Sequence, residues 1–176
     1  MEPKYEVYND VFDDTADGVN LLISILVRYP EVSTINFNPE KKTIKFSFLL
    51  NSSFKIDDLM ELKDLLMDTI EVYNMLNARD TRVRIINDHT LQKFLMLNIE
   101  RDIDTLEQKE IELIIQCLKQ SINEMIIKDD SNIVDYEDLK FQDELIETML
   151  ESIKSWIGSK PLFGFREEGR VIVFDK

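Results

Sequence analysis

Apolar residues fall at helical spacing in four stretches of this chain and alternate with polar ones in three others. From about Thr15 to Tyr29 the pattern is apolar nearly all round (Leu21, Leu22, Ile23, Ile25, Leu26, Val27), and Pro30 ends it. Such a helix is buried on most sides. From about Asp57 to Leu76, the residues Leu59, Leu62, Leu66, Ile70 and Tyr73 form one stripe, the signature of an amphipathic helix. From about Thr105 to Lys128 the stripe is Ile111, Ile114, Ile115, Leu118, Ile122, Met125 and Ile126. Asp104 or Thr105 is its expected N-cap, with Glu107 or Gln108 three residues on. From about Asp135 to Ile157 the stripe is Leu139, Ile146, Met149, Leu150, Ile153 and Trp156, and Gly158 is placed to end the helix.

The alternating stretches read as β-hairpins. "TINFNPEKKTIKFSFLL" carries Ile35 and Phe37 on one arm, Ile44, Phe46 and Phe48 on the other, with "NPEKK" as the turn. "RVRIINDHTLQKFLMLN" is expected to turn at Asn87-Asp88-His89-Thr90. "LFGFREEGRVIVF" is expected to turn at Glu167-Glu168-Gly169, with Gly169 supplying the left-handed residue of a three-residue loop. The order is α-ββ-α-ββ-α-α-ββ. It predicts an α+β fold in one domain over residues 1–176, built on a mostly antiparallel sheet of about six strands. "FLML" (94–97) and "VIVF" (171–174) are apolar on both faces and are expected at a sheet centre covered on both sides. "TIKFSF" is apolar on one face only and is expected nearer a margin.

Composition sharpens this picture. Apolar residues make up 44% of the 176 and charged residues 32%, a globular balance. The formal charge is −14. It divides almost evenly between the halves of the chain, so it is not an acidic tail. That charge tells against nonspecific binding to nucleic acid or to an anionic membrane. No apolar run is long enough to span a bilayer, and "MEPKYEVYND" lacks the basic and apolar regions of a signal peptide. One cysteine, Cys117, cannot form an internal disulfide. The expectation is a cytoplasmic protein, and the wealth of Ile, Lys, Asn and Glu suggests a bacterial, AT-rich source.

Candidate chemistry is sparse. "DDTADG" (Asp13–Gly18) resembles the start of a calcium loop, but the twelfth position, which needs a bidentate Glu, is Ser24. Asp14 and Asp17 suit the start of a helix better, near the positive end of its dipole. His89 is the only histidine, and no nucleophile stands at a recognisable spacing from it. Cys117 flanks an apolar stripe, as a small core residue does. With one His and one Cys, a zinc site of the usual nitrogen and sulfur ligands within one chain is nearly excluded. Glycine occurs only at 18, 158, 164 and 169, which rules out both phosphate-binding glycine motifs. No catalytic residue, metal ligand or cofactor is assigned.

The basic residues are the informative ones. Arg82 and Arg84 alternate with Val83 and Ile85, and Lys45 with Ile44 and Phe46, so all three point away from the apolar face. Arg166 lies in the third hairpin. Residues 129–151 carry nine acidic side chains and one Lys. Asp143, Glu147 and Glu151 form a row there that could complement the cations, within the chain or in a second copy. The function expected is therefore protein–protein contact by a non-enzymatic, self-associating regulatory module, possible as a homodimer. The alternative is a small-molecule-binding or metal-dependent enzyme whose carboxylates and arginines are scattered in sequence.

Overall fold

Each hairpin forms, and the three join edge to edge. The computed structural model describes residues 6–7, 14–51, 55–90, 94–128, 136–155 and 160–175. Its strands are β1 (Glu6–Val7), β2 (Thr34–Asn38), β3 (Thr43–Asn51), β4 (Val83–Thr90), β5 (Phe94–Asp102), β6 (Leu162–Glu167) and β7 (Arg170–Asp175). The helices are α1 (Asp14–Arg28), α2 (Ile56–Leu76), α3 (Gln108–Ile122) and α4 (Tyr136–Lys154). The sheet order is β1-β7-β6-β2-β3-β5-β4. Every pairing is antiparallel except the short β1, which runs parallel to β7. The fold is α+β.

All four helices serve one face of the sheet. A single apolar cluster joins them to Ile35, Phe37, Ile44, Phe46, Phe48, Leu97, Ile99, Leu162, Val171 and Val173. α1 lies between β6, β7 and β2 on one side and α4 on the other. That position requires apolar residues nearly all round, and Leu21, Leu22, Ile25 and Leu26 are fully buried. Gly164 lets α1 approach the sheet: a Cβ there would lie 3.0 Å from Leu26 Cδ1 and 3.3 Å from Val173 Cγ2.

The expected sheet centre is corrected. β2 and β3 occupy it, although β3 contains the half-polar "TIKFSF"; β5 and β7 stand one strand in from the edges. Among the described residues no helix packs on the opposite face, and its margin near β7 is partly open. Ile172 is half-buried and Phe174 is 39% exposed. On that face Ser47 and Asn98 are buried, and the Ser47 hydroxyl donates to Asn98 Oδ1 at 2.6 Å. Alternation reports which residues share a face. It does not report whether anything packs on that face or where the strand sits in the sheet.

Turns and caps differ in detail. β4 runs on through Thr90, paired with Phe94, so the expected turn residues Asn87–Thr90 belong to the strand; residues 91–93 lie outside the described residues. The polar run did not end the strand because β4 is an outer strand with one side free of the core. The β6–β7 loop is Glu168-Gly169, both at positive φ (48° and 75°), closed by the Glu167–Arg170 pair. That is a two-residue loop with both central residues left-handed, in place of the expected three-residue loop. α3 starts at Gln108, after a turn in which Asp102 Oδ2 accepts from the Thr105 N–H and hydroxyl. At its far end the chain leaves the helix through a short 3-10 turn, Asn123–Met125, and Ile126 bridges to Leu50 of β3. Trp156 and Gly158 lie outside the described residues.

Candidate functional site

A row of six residues crosses the helix-free face at one register level. It runs Arg84, Glu100, Lys45, Asn36, Phe163, Phe174, from β4 to β7. The next row runs Ile86, Asn98, Ser47, Thr34, Phe165, Ile172. The face therefore has a cationic end and an aromatic end. At the aromatic end the Phe163, Phe165 and Phe174 rings stand 5.3–6.0 Å apart, at the spacing of favourable aromatic contacts. None of these apolar residues, nor Ile86, belongs to the core cluster.

The cationic end holds a groove of about 430 Å³ lined by Lys41, Thr43, Arg82, Arg84, Glu100 and Asp102. The Arg84–Glu100 contact is 3.7 Å with the Arg84 side chain 66% exposed, which makes it a weak, screened pair. A second groove of about 530 Å³ lies beyond Arg82 and Val83, walled by Met67, Glu71 and Met75 of α2 and by Arg79. β4 separates the two and forms the outer edge of the sheet.

Beneath the first groove lies a buried ionic network. Arg101 donates to Glu110 from Nε (2.6 Å) and Nη2 (2.8 Å), to Thr105 Oγ1 (3.0 Å), to the Arg82 carbonyl (3.2 Å) and to Asp102 Oδ1. Asn74 Nδ2 donates to Glu110 Oε1 at 2.5 Å and to the Ile70 carbonyl at 2.8 Å. The Arg82 N–H donates to Asp102 Oδ1 at 2.7 Å. Burial pushes the Asp102 carboxyl up, but the Thr105 hydroxyl, the Arg82 N–H and the Arg101 guanidinium outweigh that and hold it below its usual range. Both Asp102 oxygens are thus engaged. The network ties α2, the start of β4, the end of β5 and the start of α3 together, and so fixes where Arg82 and Arg84 stand. Glu107 adds a tie, accepting from the Tyr73 hydroxyl at 2.7 Å and from Arg79.

The structure brings together Arg82, Arg84 and Lys45 and sets the other expected contact residues elsewhere. Arg166 points into the helix-bearing side. It shares the face of Gly164 and Val171, and its Nη2 reaches the carbonyls of Leu26, Tyr29 and Val32 at 2.6, 3.1 and 3.0 Å. The carboxyl end of α1 needs donors, so this arginine is drawn inward. Asp143 pairs with Arg28 at 2.8 Å, Glu147 accepts from the Gln108 N–H at 2.8 Å, and Glu151 pairs with Lys154 at 2.6 Å. The acidic row of α4 is engaged within the chain.

The remaining candidates are placed as follows. Asp17 accepts from the Ser152 hydroxyl at 2.7 Å, joining α1 to α4; Asp13 lies outside the described residues. His89 is in β4, not in a turn. Cys117 packs against the core beside Thr69, and burial pushes its thiol up. Among the described residues no group of three His, Cys, Asp or Glu could hold a metal ion, and no helix is long and apolar enough to cross a membrane.

Sequence reading missed the network. Its signal was present: Arg101 has the alternation parity of Leu95, Leu97 and Ile99, so it had to point into the core. No family model, curated protein or solved structure matches the chain.

Proposed function

We propose that this chain is a non-enzymatic, cytoplasmic protein-contact module that works through the helix-free sheet face and the β4 edge. The observation that carries this reading is the row from Arg84 to Phe174. It sets exposed Arg84 and half-buried Lys45, with Glu100 between them, at one end and half-exposed aromatic rings at the other, outside the core. A contact surface of this kind combines apolar anchors with charges that select the partner. A small-molecule site in the Arg82–Arg84 groove is the competing reading. It is weakened by Asp102, whose two oxygens already serve Arg101, Arg82 and Thr105, which leaves Glu100, itself beside Arg84, as the one loosely held carboxylate lining that groove.

The test is a photo-cross-linking residue placed at Lys45 or at Phe174 in the full chain, expressed in its host. Exposed Lys140 on α4 and Gln120 on α3 serve as controls. The proposal expects one discrete cross-linked protein from the sheet positions and none from the controls. Equal labelling from both sets, or no protein adduct from the sheet face, would refute it.

A further inference from the structure

The two edges of the sheet are unlike. Among the described residues β1 contributes two, whereas β4 contributes eight, Val83–Thr90, with no proline and no bulge. Long, flat edges of this kind pair with other strands unless something blocks them. The Asp102 N–H donates to the Arg82 carbonyl, which sets the phase of the ladder. In an antiparallel pair the bonding direction alternates. Arg82, Arg84, Ile86 and Asp88 therefore bond toward β5, and the N–H and C=O groups of Val83, Ile85, Asn87 and His89 point outward. Among the described residues no strand receives them.

We infer that the occupant of this edge is the β4 strand of a second copy, paired antiparallel about a two-fold axis through Ile86. This rests on reading the sheet surface as a contact surface, and it names the partner. In that register the outward-facing residues bond to one another, Val83 with His89 and Ile85 with Asn87 of the second copy. Ile86, 39% exposed, meets its own symmetry mate, and Arg84 stands opposite Asp88 twice. These last are non-hydrogen-bonded pairs, in which opposed side chains come closest. A shift to either neighbouring allowed register puts Arg84 opposite Ile86, or Ile86 opposite Asp88, so charge selects the Ile86-centred one. The helix layer adds a second match. Thr69 of α2 faces α3 at Cys117; the opposite flank, over the β4 edge, carries Met67 with exposed Met60 and Met75. Methionines suit a surface that repacks against its own copy. The dimer would continue one sheet through both copies, with all helices on one side and both Arg84–Phe174 rows on the other.

Sedimentation velocity over a wide concentration range, up to about 1 mM where a weak interface shows, tests this on the full chain. Wild type should dimerise. Arg84→Asp alone and Asp88→Arg alone should each raise the dimer Kd about tenfold or more. An equimolar mixture of the two should form a heterodimer, because each then opposes a complementary charge. Asn87→Pro, which removes an outward donor but no bond to β5, should abolish the dimer with the melting temperature kept. A chain that stays monomeric, or a dimer indifferent to Asn87→Pro and to the charge changes, overturns the inference. If the chain is monomeric but the sheet face still cross-links to another protein, the contact function stands and only the self-pairing falls.

Discussion

Arg101 on β5 and Glu110 on α3 form a two-pronged ion pair, Nε to Oε2 at 2.6 Å and Nη2 to Oε1 at 2.8 Å, with both side chains sealed from solvent. A pair like this stabilises little relative to apolar residues of the same size. Breaking it from the arginine side is costly, because Arg101 is also paired with Asp102, and its removal leaves two buried carboxylates without their cation. Arg101→Met should destabilise the chain by about 3–5 kcal/mol, and the double replacement Arg101→Met with Glu110→Leu, which strands only Asp102, by clearly less. Urea unfolding of the three proteins decides the matter; equal losses for single and double variants would show that the charges are not coupled.

Acid should weaken the same corner. Glu107 is held below its ordinary 4.5 mainly by the hydrogen bond from Arg79, against burial and with help from Tyr73. Asp102 is held below 3.8 despite burial. The unfolded chain therefore takes up these protons first as pH falls. Their contribution is complete above about pH 5 and disappears as pH drops through the ordinary values toward the lowered ones. Tyr73 behaves in the opposite sense: burial, then the Glu107 carboxylate, pushes its hydroxyl up to about 12. The stability tied to it is present below the ordinary 10 and goes as pH rises through about 12. In Asp102→Asn with Glu107→Gln the acid slope of unfolding free energy should flatten, and in Tyr73→Phe the alkaline one. Unchanged slopes would mean that other groups govern both limbs.

Gly164 tests the packing of α1. A methyl group there meets Leu26 at 3.0 Å and Val173 at 3.3 Å, so Gly164→Ala should cost about 1–3 kcal/mol by overpacking. The neutral comparison is Gly164→Ala combined with Leu26→Val, which returns space. A single variant as stable as wild type would contradict the close approach.

Arg166→Ala removes the donor that serves three carbonyls at the end of α1. Hydrogen bonds to a charged group contribute about 1.5–3 kcal/mol, and the loss should appear as fraying of α1 in amide exchange near Leu26. Loss of stability without that local signature would assign Arg166 another role.

The fold was largely legible because its strands alternate and its helices carry stripes; Ile35, Phe37, Ile44 and Phe46 alone define the first hairpin and its buried side. Strand order was not legible. Nothing local in "VIVF" or "TIKFSF" tells the chain that β2 meets β6 and β3 meets β5, since those neighbours lie far away in sequence. The contact surface was half legible: Arg82, Arg84 and Lys45 were placed by alternation, whereas Arg166, of the same charge, was drawn inward by the carbonyls of α1. Asp143, Glu147 and Glu151 read as a row that could complement those cations; Lys154, three residues after Glu151 on the same helix, was a legible partner, whereas Arg28 and the Gln108 N–H became neighbours of Asp143 and Glu147 only through helix packing.

The most direct test of the β4 edge as the place where this chain meets its partner is amide exchange measured at low and at high protein concentration. Raising the concentration should slow exchange at Val83, Ile85, Asn87 and His89, whose N–H groups point outward, and leave Arg84, Ile86 and Asp88, already bonded to β5, as they were. Slowing confined to the helices, or spread evenly along β4, or absent at concentrations where a weak dimer forms, would contradict the account.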